Sequence, residues 1–136
     1  MAKHANGLAQ CPSCVEKIKT SHPIMQEWFL YTVKPRFPDC HVSWAWRNKI
    51  DQNQFHAEGK SMRPWPLSDH NKMDDQGNPC SLALDFFQLC TNGMAAWPYK
   101  YFRDIASVCE IKFYNIEWAG SWSGKFQESC HFRLKL

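Results

Sequence analysis

Three residues of this chain, His70, Asp85 and His131, have side chains of the types that bind metal ions. Asp85 lies in the alternating run SLALDFFQL, residues 81–89, and His131 opens the alternating run HFRLKL, residues 131–136. Side chains alternate across a strand, so both fall on the polar faces of their predicted strands, and His70 precedes the first of them. Two imidazoles and a carboxylate leave tetrahedral zinc one position for water, which is typical of a catalytic site. On spacing alone, a structural polar cluster is the alternative.

Glu128 could supply the proton transfer that such a site needs. It stands three residues before His131, close enough to serve the same site without being a ligand. A water molecule activated by zinc needs a base that takes its proton and later passes it to the leaving amine. Glu128 is therefore predicted to be that base.

The elements that would position these groups alternate between helices and short strands. In chain order the sequence predicts a helix over 24–34 with Ser21 as N-cap, a strand over 40–46, a helix over 48–59, a strand over 81–89, a helix over 97–110, and strands within 112–120 and 131–136. The predicted buried positions are Ile24, Trp28, Phe29 and Tyr31 on the first helix, Trp97, Tyr101, Ile105 and Val108 on the last helix, and Phe132, Leu134 and Leu136 on the last strand. This pattern predicts an α+β fold, a small and mostly antiparallel sheet with helices packed on one face.

Length and composition indicate a single domain. The chain has 136 residues, 44% of them hydrophobic, and we expect residues 1–20 to be a loose lead-in and residues 21–136 to form one domain. A net charge of +3 is far short of what nucleic-acid binding requires, and no segment is long and apolar enough to span a membrane. We expect a monomer without stable membrane insertion.

Cysteine usage indicates a reducing compartment. The seven cysteines are odd in number and do not resemble a secreted disulfide framework, and the N-terminus lacks a signal peptide, so synthesis in the cytoplasm is expected. Cys11 and Cys14 form a CxxC pair that could be redox-active or half of a zinc site. Incidental cysteines are the favoured interpretation, because the pair lies in the lead-in and no second CxxC exists.

The segments SDHNKMDDQGNPCSLALD, residues 68–85, and ESCHFRL, residues 128–134, resemble the two signatures of a known family. It comprises the zinc D-alanyl-D-alanine carboxypeptidases, the D-Ala-D-Ala dipeptidases and the phage L-alanyl-D-glutamate endopeptidases. WAWRNKIDQNQFHAEGKS, residues 44–61, resembles the family's upstream segment, and WAGSW, residues 118–122, its approach to the second signature. The resemblance covers about residues 40–134 and implies a hedgehog/DD-peptidase-like fold.

The resemblance also implies a role for individual residues. His70, Asp85 and His131 match the zinc ligands, and Glu128 matches the catalytic base. Arg47 matches an arginine that steadies the substrate as negative charge develops, with a surface salt bridge as the alternative. The residues expected to shape the substrate pocket are Gln54, Ser61, Ser68, Trp118 and Trp122, of which the two tryptophans could instead belong to the core.

Two departures from the family pattern stand out. Asp85 follows His70 by fifteen residues, whereas the shortest family signature has seven, and the longer interval makes Asp74 and Asp75 rival ligands. Asp85 is preferred because neither rival lies in a strand. The base is a glutamate, as in the dipeptidases, where many phage members have an aspartate.

These observations predict a zinc peptidase that hydrolyses the stem peptides of bacterial peptidoglycan. A phage endolysin with L-alanyl-D-glutamate endopeptidase activity is expected, made in the cytoplasm and reaching the cell wall through a holin-type pore. The alternatives are a D-alanyl-D-alanine carboxypeptidase or dipeptidase, and an inactive, zinc-stabilised cell-wall binding module.

Overall fold

The computed structural model describes residues 12–122 and 128–136. The helices are α1 (Pro12–Ile18), α2 (Pro23–Trp28), a π-helical segment (Phe29–Val33), α3 (Lys34–Arg36), α4 (Lys49–Ala57), a 3-10 turn (Asp69–Asn71), α5 (Tyr99–Val108) and a 3-10 turn (Ala119–Ser121). The strands are β1 (Cys40–Trp44), β2 (Ala83–Leu89), β3 (Ala95–Ala96), β4 (Ile116–Trp118) and β5 (His131–Leu134). No helix among these residues is long and apolar enough to cross a membrane.

The strands form one antiparallel sheet in the order β1-β2-β5-β4, and β3 pairs with the end of β2. β2 and β5 are neighbours at the centre, with Leu84 opposite Phe132 and Asp85 opposite His131. Since side chains alternate along both strands, this register sends the apolar pair to one face and the polar pair to the other. The α+β prediction is confirmed.

The hydrophobic core lies between α2 and the apolar face of the sheet. The fully buried Trp28 packs its ring 5.3 Å from Phe132 and 6.0 Å from Phe86, measured between ring centroids. Its indole Nε1 donates a hydrogen bond to the carbonyl of Cys109 at 2.6 Å, which ties the end of α5 to the same core. This packing holds the centre of the sheet in place and leaves its polar face for the site.

The first long helix differs from the prediction in its cap and its buried face. His22, rather than Ser21, is the N-cap, and its side chain accepts a hydrogen bond from the backbone of Ile24. Ile24 and Tyr31 were predicted to be buried but are 39% and 73% exposed. Ile24 lies in the first turn of α2. From Phe29 the chain winds as a π-helix, so the α-helical period no longer places Tyr31 toward the core.

Three other predictions about packing are wrong. Trp97 precedes α5 and Val108 ends it, and both are about half exposed, so the buried face of α5 is formed by Phe102 and Ile105. Leu136 lies beyond the end of β5 and is 84% exposed.

The expected lead-in is in part a helix. α1 buries Cys14 and Ile18 in the core, so residues 12–20 belong to the packed domain. The Cys14 thiol lies 3.4 Å from Nδ1 of His41 on β1. The prediction for the CxxC pair involves Cys11, which lies outside the described residues.

Candidate metal and catalytic site

The centre of the site is the contact between Asp85 and His131 on adjacent strands. The cross-strand register places them directly opposite each other, and Oδ1 of Asp85 lies 2.8 Å from Nδ1 of His131. Both side chains are largely buried, with 13% and 12% of their surface exposed. A sheet positions two such groups reliably because neighbouring strands fix the separation of opposite side chains.

His70 reaches the same carboxylate from the 3-10 turn before β2. Ser68 caps this turn in a reciprocal arrangement with Asn71, which fixes the backbone of His70. Nδ1 of His70 donates a hydrogen bond to the carbonyl of Ala45 at 2.7 Å. In a neutral imidazole the other ring nitrogen, Nε2, carries the lone pair, and it lies 3.2 Å from Oδ2 of Asp85.

Nε2 of His70 is buried and has no hydrogen-bond donor among the described residues. The short distance to Asp85 brings two lone-pair atoms together, which is unfavourable unless a cation or a proton lies between them. A histidine that binds a metal through one nitrogen usually donates the N–H of the other to a carbonyl or carboxylate, as His70 does to Ala45. This geometry fits a divalent metal ion.

Among the described residues, one group of three or more histidine, cysteine or acidic side chains could share a metal ion. It comprises His70, Asp85 and His131, whose ligand atoms all lie within 4.8 Å of one another. The rival ligands Asp74 and Asp75 are exposed and lie outside this group. Asp74 instead accepts hydrogen bonds from the backbone of its own turn.

Charge balance keeps the Asp85 carboxylate ionised although it is buried. Burial alone would raise its pKa, but the positive charges at His70 and His131 outweigh this effect, and the pKa of Asp85 falls far below its ordinary value. Burial lowers the pKa of His131 while Asp85 raises it, and the net shift is upward. The carboxylate is thus anionic at neutral pH, as a metal ligand must be.

Arg47 lies beside this carboxylate and is 4% exposed. Its Nη2 approaches Oδ2 of Asp85 at 3.3 Å, and its Nη1 donates to Oε1 of Gln52 at 3.0 Å. The guanidinium also lies over the rings of Trp44 and Phe55, at 4.9 and 4.3 Å from their centroids. Arg47 is therefore held rigidly at the site, which excludes the alternative of a surface salt bridge.

Glu128 lines the same cleft as His70 and His131. Its backbone N–H donates to the carbonyl of Ala119, and its own carbonyl accepts from the backbone N–H of His131 at 3.1 Å. Partial burial raises the pKa of Glu128, and the positive charge of His131 opposes this shift. A raised pKa suits a group that has to accept a proton and then release it.

The residues predicted to shape the pocket are divided between the cleft and other places. The cleft has a volume of about 400 Å³, and Ser61, Ser68 and Trp122 line it. The Trp122 ring centroid lies 6.0 Å from that of His131. Trp118 does not line the cleft. It belongs to the core and is only 8% exposed, and its Nε1 donates a hydrogen bond to the carbonyl of Ser129 at 2.7 Å.

Gln54 does not line the cleft either. It is exposed and donates to Glu58, whereas the fully buried glutamine of α4 is Gln52. The amide of Gln52 contacts Arg47, Asn71, the hydroxyl of Ser61 and the carbonyl of Arg63. Gln52 is not among the residues predicted from the sequence. The feature that could have indicated it is its place in the predicted helix that follows Arg47.

No protein-family model and no curated protein matches the chain. Among solved structures, the chain is similar to the crystal structure of the L-Ala D-Glu endopeptidase ChiX from Serratia marcescens. The TM-score is 0.69, the match covers 91% of this chain and 87% of that chain, and the sequence identity is 19%. At this identity the likeness shows a shared fold and nothing more.

Proposed function

We propose that this protein is a zinc-dependent peptidase that hydrolyses a peptide bond in the stem peptides of peptidoglycan, with L-alanyl-D-glutamate endopeptidase activity. One observation carries the proposal: the ligand atoms of His70, Asp85 and His131 lie within 4.8 Å of one another, and the two histidines line a cleft. A fold similar to that of an L-Ala D-Glu endopeptidase supports the choice of the bond that is cleaved.

His70, Asp85 and His131 would hold the metal. The two imidazoles and one carboxylate are a ligand set that zinc accepts, with a further position available to water or substrate. When bound, zinc would supply Lewis acidity that polarises the amide carbonyl and activates a water molecule. Ala45 contributes indirectly, because the hydrogen bond from Nδ1 of His70 to its carbonyl fixes the direction of the ligating nitrogen.

Glu128 would act as general base and then as general acid. From its place in the cleft, its carboxylate takes a proton from the attacking water and gives it to the nitrogen of the departing amine. Arg47 also lines the cleft and would stabilise the negative charge that develops on the carbonyl oxygen. Its hydrogen bond to Gln52 and its two aromatic contacts hold the guanidinium in place before substrate binds.

Digestion of purified peptidoglycan tests the proposal directly. Mass spectrometry of the soluble products should find new termini, a free L-Ala carboxyl group and a free D-Glu amino group. The Glu128→Gln variant should give far fewer of these termini in the same time, while Glu27→Gln, an exposed substitution on α2, should match the wild-type protein.

Other products would point to a different activity. Released D-Ala or D-Ala-D-Ala would identify a carboxypeptidase or dipeptidase. An absence of products from zinc-loaded, folded protein would leave only a binding module. The phage origin and the holin-type pore remain predictions that the described residues do not test.

A further inference from the structure

Four of the residues that line the cleft carry a permanent positive charge: Arg47, Lys60, Arg63 and Arg133. Two of these charges are already balanced. Arg47 lies beside Asp85, and Arg133 donates to Asp69 from Nε at 2.8 Å and to Glu117 from Nη1 at 3.0 Å. Each of these two guanidinium groups therefore already has a carboxylate partner within the protein.

Lys60 and Arg63 are not balanced in this way. Arg63 is exposed, and no described acidic group lies within ion-pair distance of it; its Nη1 makes one long hydrogen bond, 3.4 Å, to the carbonyl of Leu67. Lys60 pairs at 3.3 Å with Glu58, but both side chains are largely exposed, and such pairs contribute little. The cleft therefore has two cationic groups available at its edge.

The backbone that presents these cations is held in place by buried groups. The amide of Gln52 donates to the carbonyl of Arg63 at 2.6 Å and to the hydroxyl of Ser61 at 2.8 Å. The backbone N–H of Lys60 donates to the carbonyl of Phe55 at 2.8 Å. Because Gln52 also binds Arg47, the cationic segment 60–63 is tied to the site itself. Preorganisation of this kind reduces the entropy that is lost when a ligand binds.

We infer that Lys60 and Arg63 bind a carboxylate of the substrate, so that the protein prefers stem peptides with a free carboxylate beside the cleaved amide. The inference rests on the proposed function. In an L-Ala–γ-D-Glu stem, the glutamate that follows the cleaved bond carries a free α-carboxylate, and in amidated stems this group is a neutral carboxamide. A guanidinium binds a carboxylate through two parallel hydrogen bonds and cannot bind a carboxamide in that way.

Two synthetic tetrapeptides test this specificity: L-Ala–γ-D-Glu–L-Lys–D-Ala and the same peptide with its α-carboxylate amidated. Zinc-loaded wild-type protein should cleave the first with a kcat/KM about five- to tenfold higher, mainly through a lower KM, as expected for a partly exposed charge-assisted contact. The preference should shrink as salt is raised, because salt screens exposed charges.

Variants separate these residues from the rest of the cleft. The Lys60→Gln/Arg63→Gln double variant should cleave both peptides at similar rates, because it loses the contact to the free carboxylate. Arg63→Lys in an otherwise wild-type chain should retain part of the preference. The control is Arg103→Gln, which removes an exposed arginine on α5 outside the cleft and should leave the preference intact.

The outcomes distinguish failure of this inference from failure of the proposed function. If wild-type protein cleaves neither peptide, the proposed function is wrong and the inference falls with it. Equal cleavage of the two peptides by wild-type protein would refute the inference alone. So would a preference for the carboxylate that survives in the double variant.

Discussion

Replacing Asp85 with asparagine removes the negative charge at the centre of the site while nearly preserving the size of the side chain. In the metal-free protein this carboxylate balances Arg47 at 3.3 Å and contacts His131 at 2.8 Å. The side chains of Asp85 and Arg47 are only 13% and 5% exposed, so water cannot replace the lost partner. Asp85→Asn therefore leaves a buried guanidinium without a counter-charge.

The magnitude follows from this burial. Removing one partner of a buried ion pair costs about 3–5 kcal/mol in the free energy of unfolding. For a domain of this size, a loss of that order lowers the Tm by roughly 10–20 °C. A matched control is Asp104→Asn, which breaks the pair with Lys100 on α5, whose side chains are 42% and 74% exposed. An exposed pair of this kind contributes about 0.5 kcal/mol or less.

Thermal unfolding followed by circular dichroism, with EDTA and then with zinc, measures both effects. With EDTA, the Tm of Asp85→Asn should lie far below that of the wild-type protein, and the Tm of Asp104→Asn should lie close to it. Zinc at about 100 times its Kd should stabilise the wild-type protein and Asp104→Asn by about 2.7 kcal/mol. Asp85→Asn should lose this gain. Equal Tm values for the two variants in EDTA would refute the account of the buried charge.

Two further substitutions separate the base from the groups that position it. Glu128→Gln should lower kcat by about 10²–10⁴-fold and leave zinc content unchanged, because Glu128 lies outside the ligand group; wild-type turnover in this variant would remove Glu128 from the mechanism. Trp118→Phe removes the hydrogen bond to the carbonyl of Ser129, next to Glu128, and should cost about 1–3 kcal/mol of stability and lower kcat. Trp97→Phe, at a half-exposed tryptophan, should do neither, and the same result at Trp118 would contradict its positioning role.

The part of the site carried by strands was predictable because alternation is a simple rule. A buried strand has to turn Leu84 and Phe132 inward, and this requirement alone puts Asp85 and His131 on the other face. The position of His70 beside Asp85 and His131 could not be predicted from its spacing in the sequence. It depends on the turn that Ser68 caps and on the carbonyl of Ala45, which is distant in sequence.

It was less predictable which helix residues face the core, because this depends on how the helix winds locally and how it docks. An α-helical period extrapolated from Trp28 places Tyr31 inward, but the π-helical segment widens the turn and buries Thr32 and Val33 instead. The hydrogen bond from the backbone N–H of Lys34 to the carbonyl of Phe29 spans this wider turn. Nothing in the residue types of this segment indicates the change of period.

The choice between Gln52 and Gln54 shows the same limit. Side chains two positions apart on a helix point to nearly opposite sides, so one glutamine faces the site and the other faces solvent. Asn48 caps α4 and sets where the helix begins, but the side that faces Arg47 depends on how α4 docks against the sheet. That docking is a tertiary property, and the sequence pattern does not contain it.

The central claim is that three side chains from separate segments bind a single metal ion, and metal content measures this most directly. The purified protein is stripped with a chelator, reloaded with zinc and desalted, and its metal content is measured by mass spectrometry. It should hold about one zinc per chain. His56→Ala, at an exposed histidine on α4, should hold the same amount, and His70→Ala should hold none while remaining folded. Wild-type protein that takes up no zinc, or a His70→Ala variant that takes up as much as the wild type, would contradict the account.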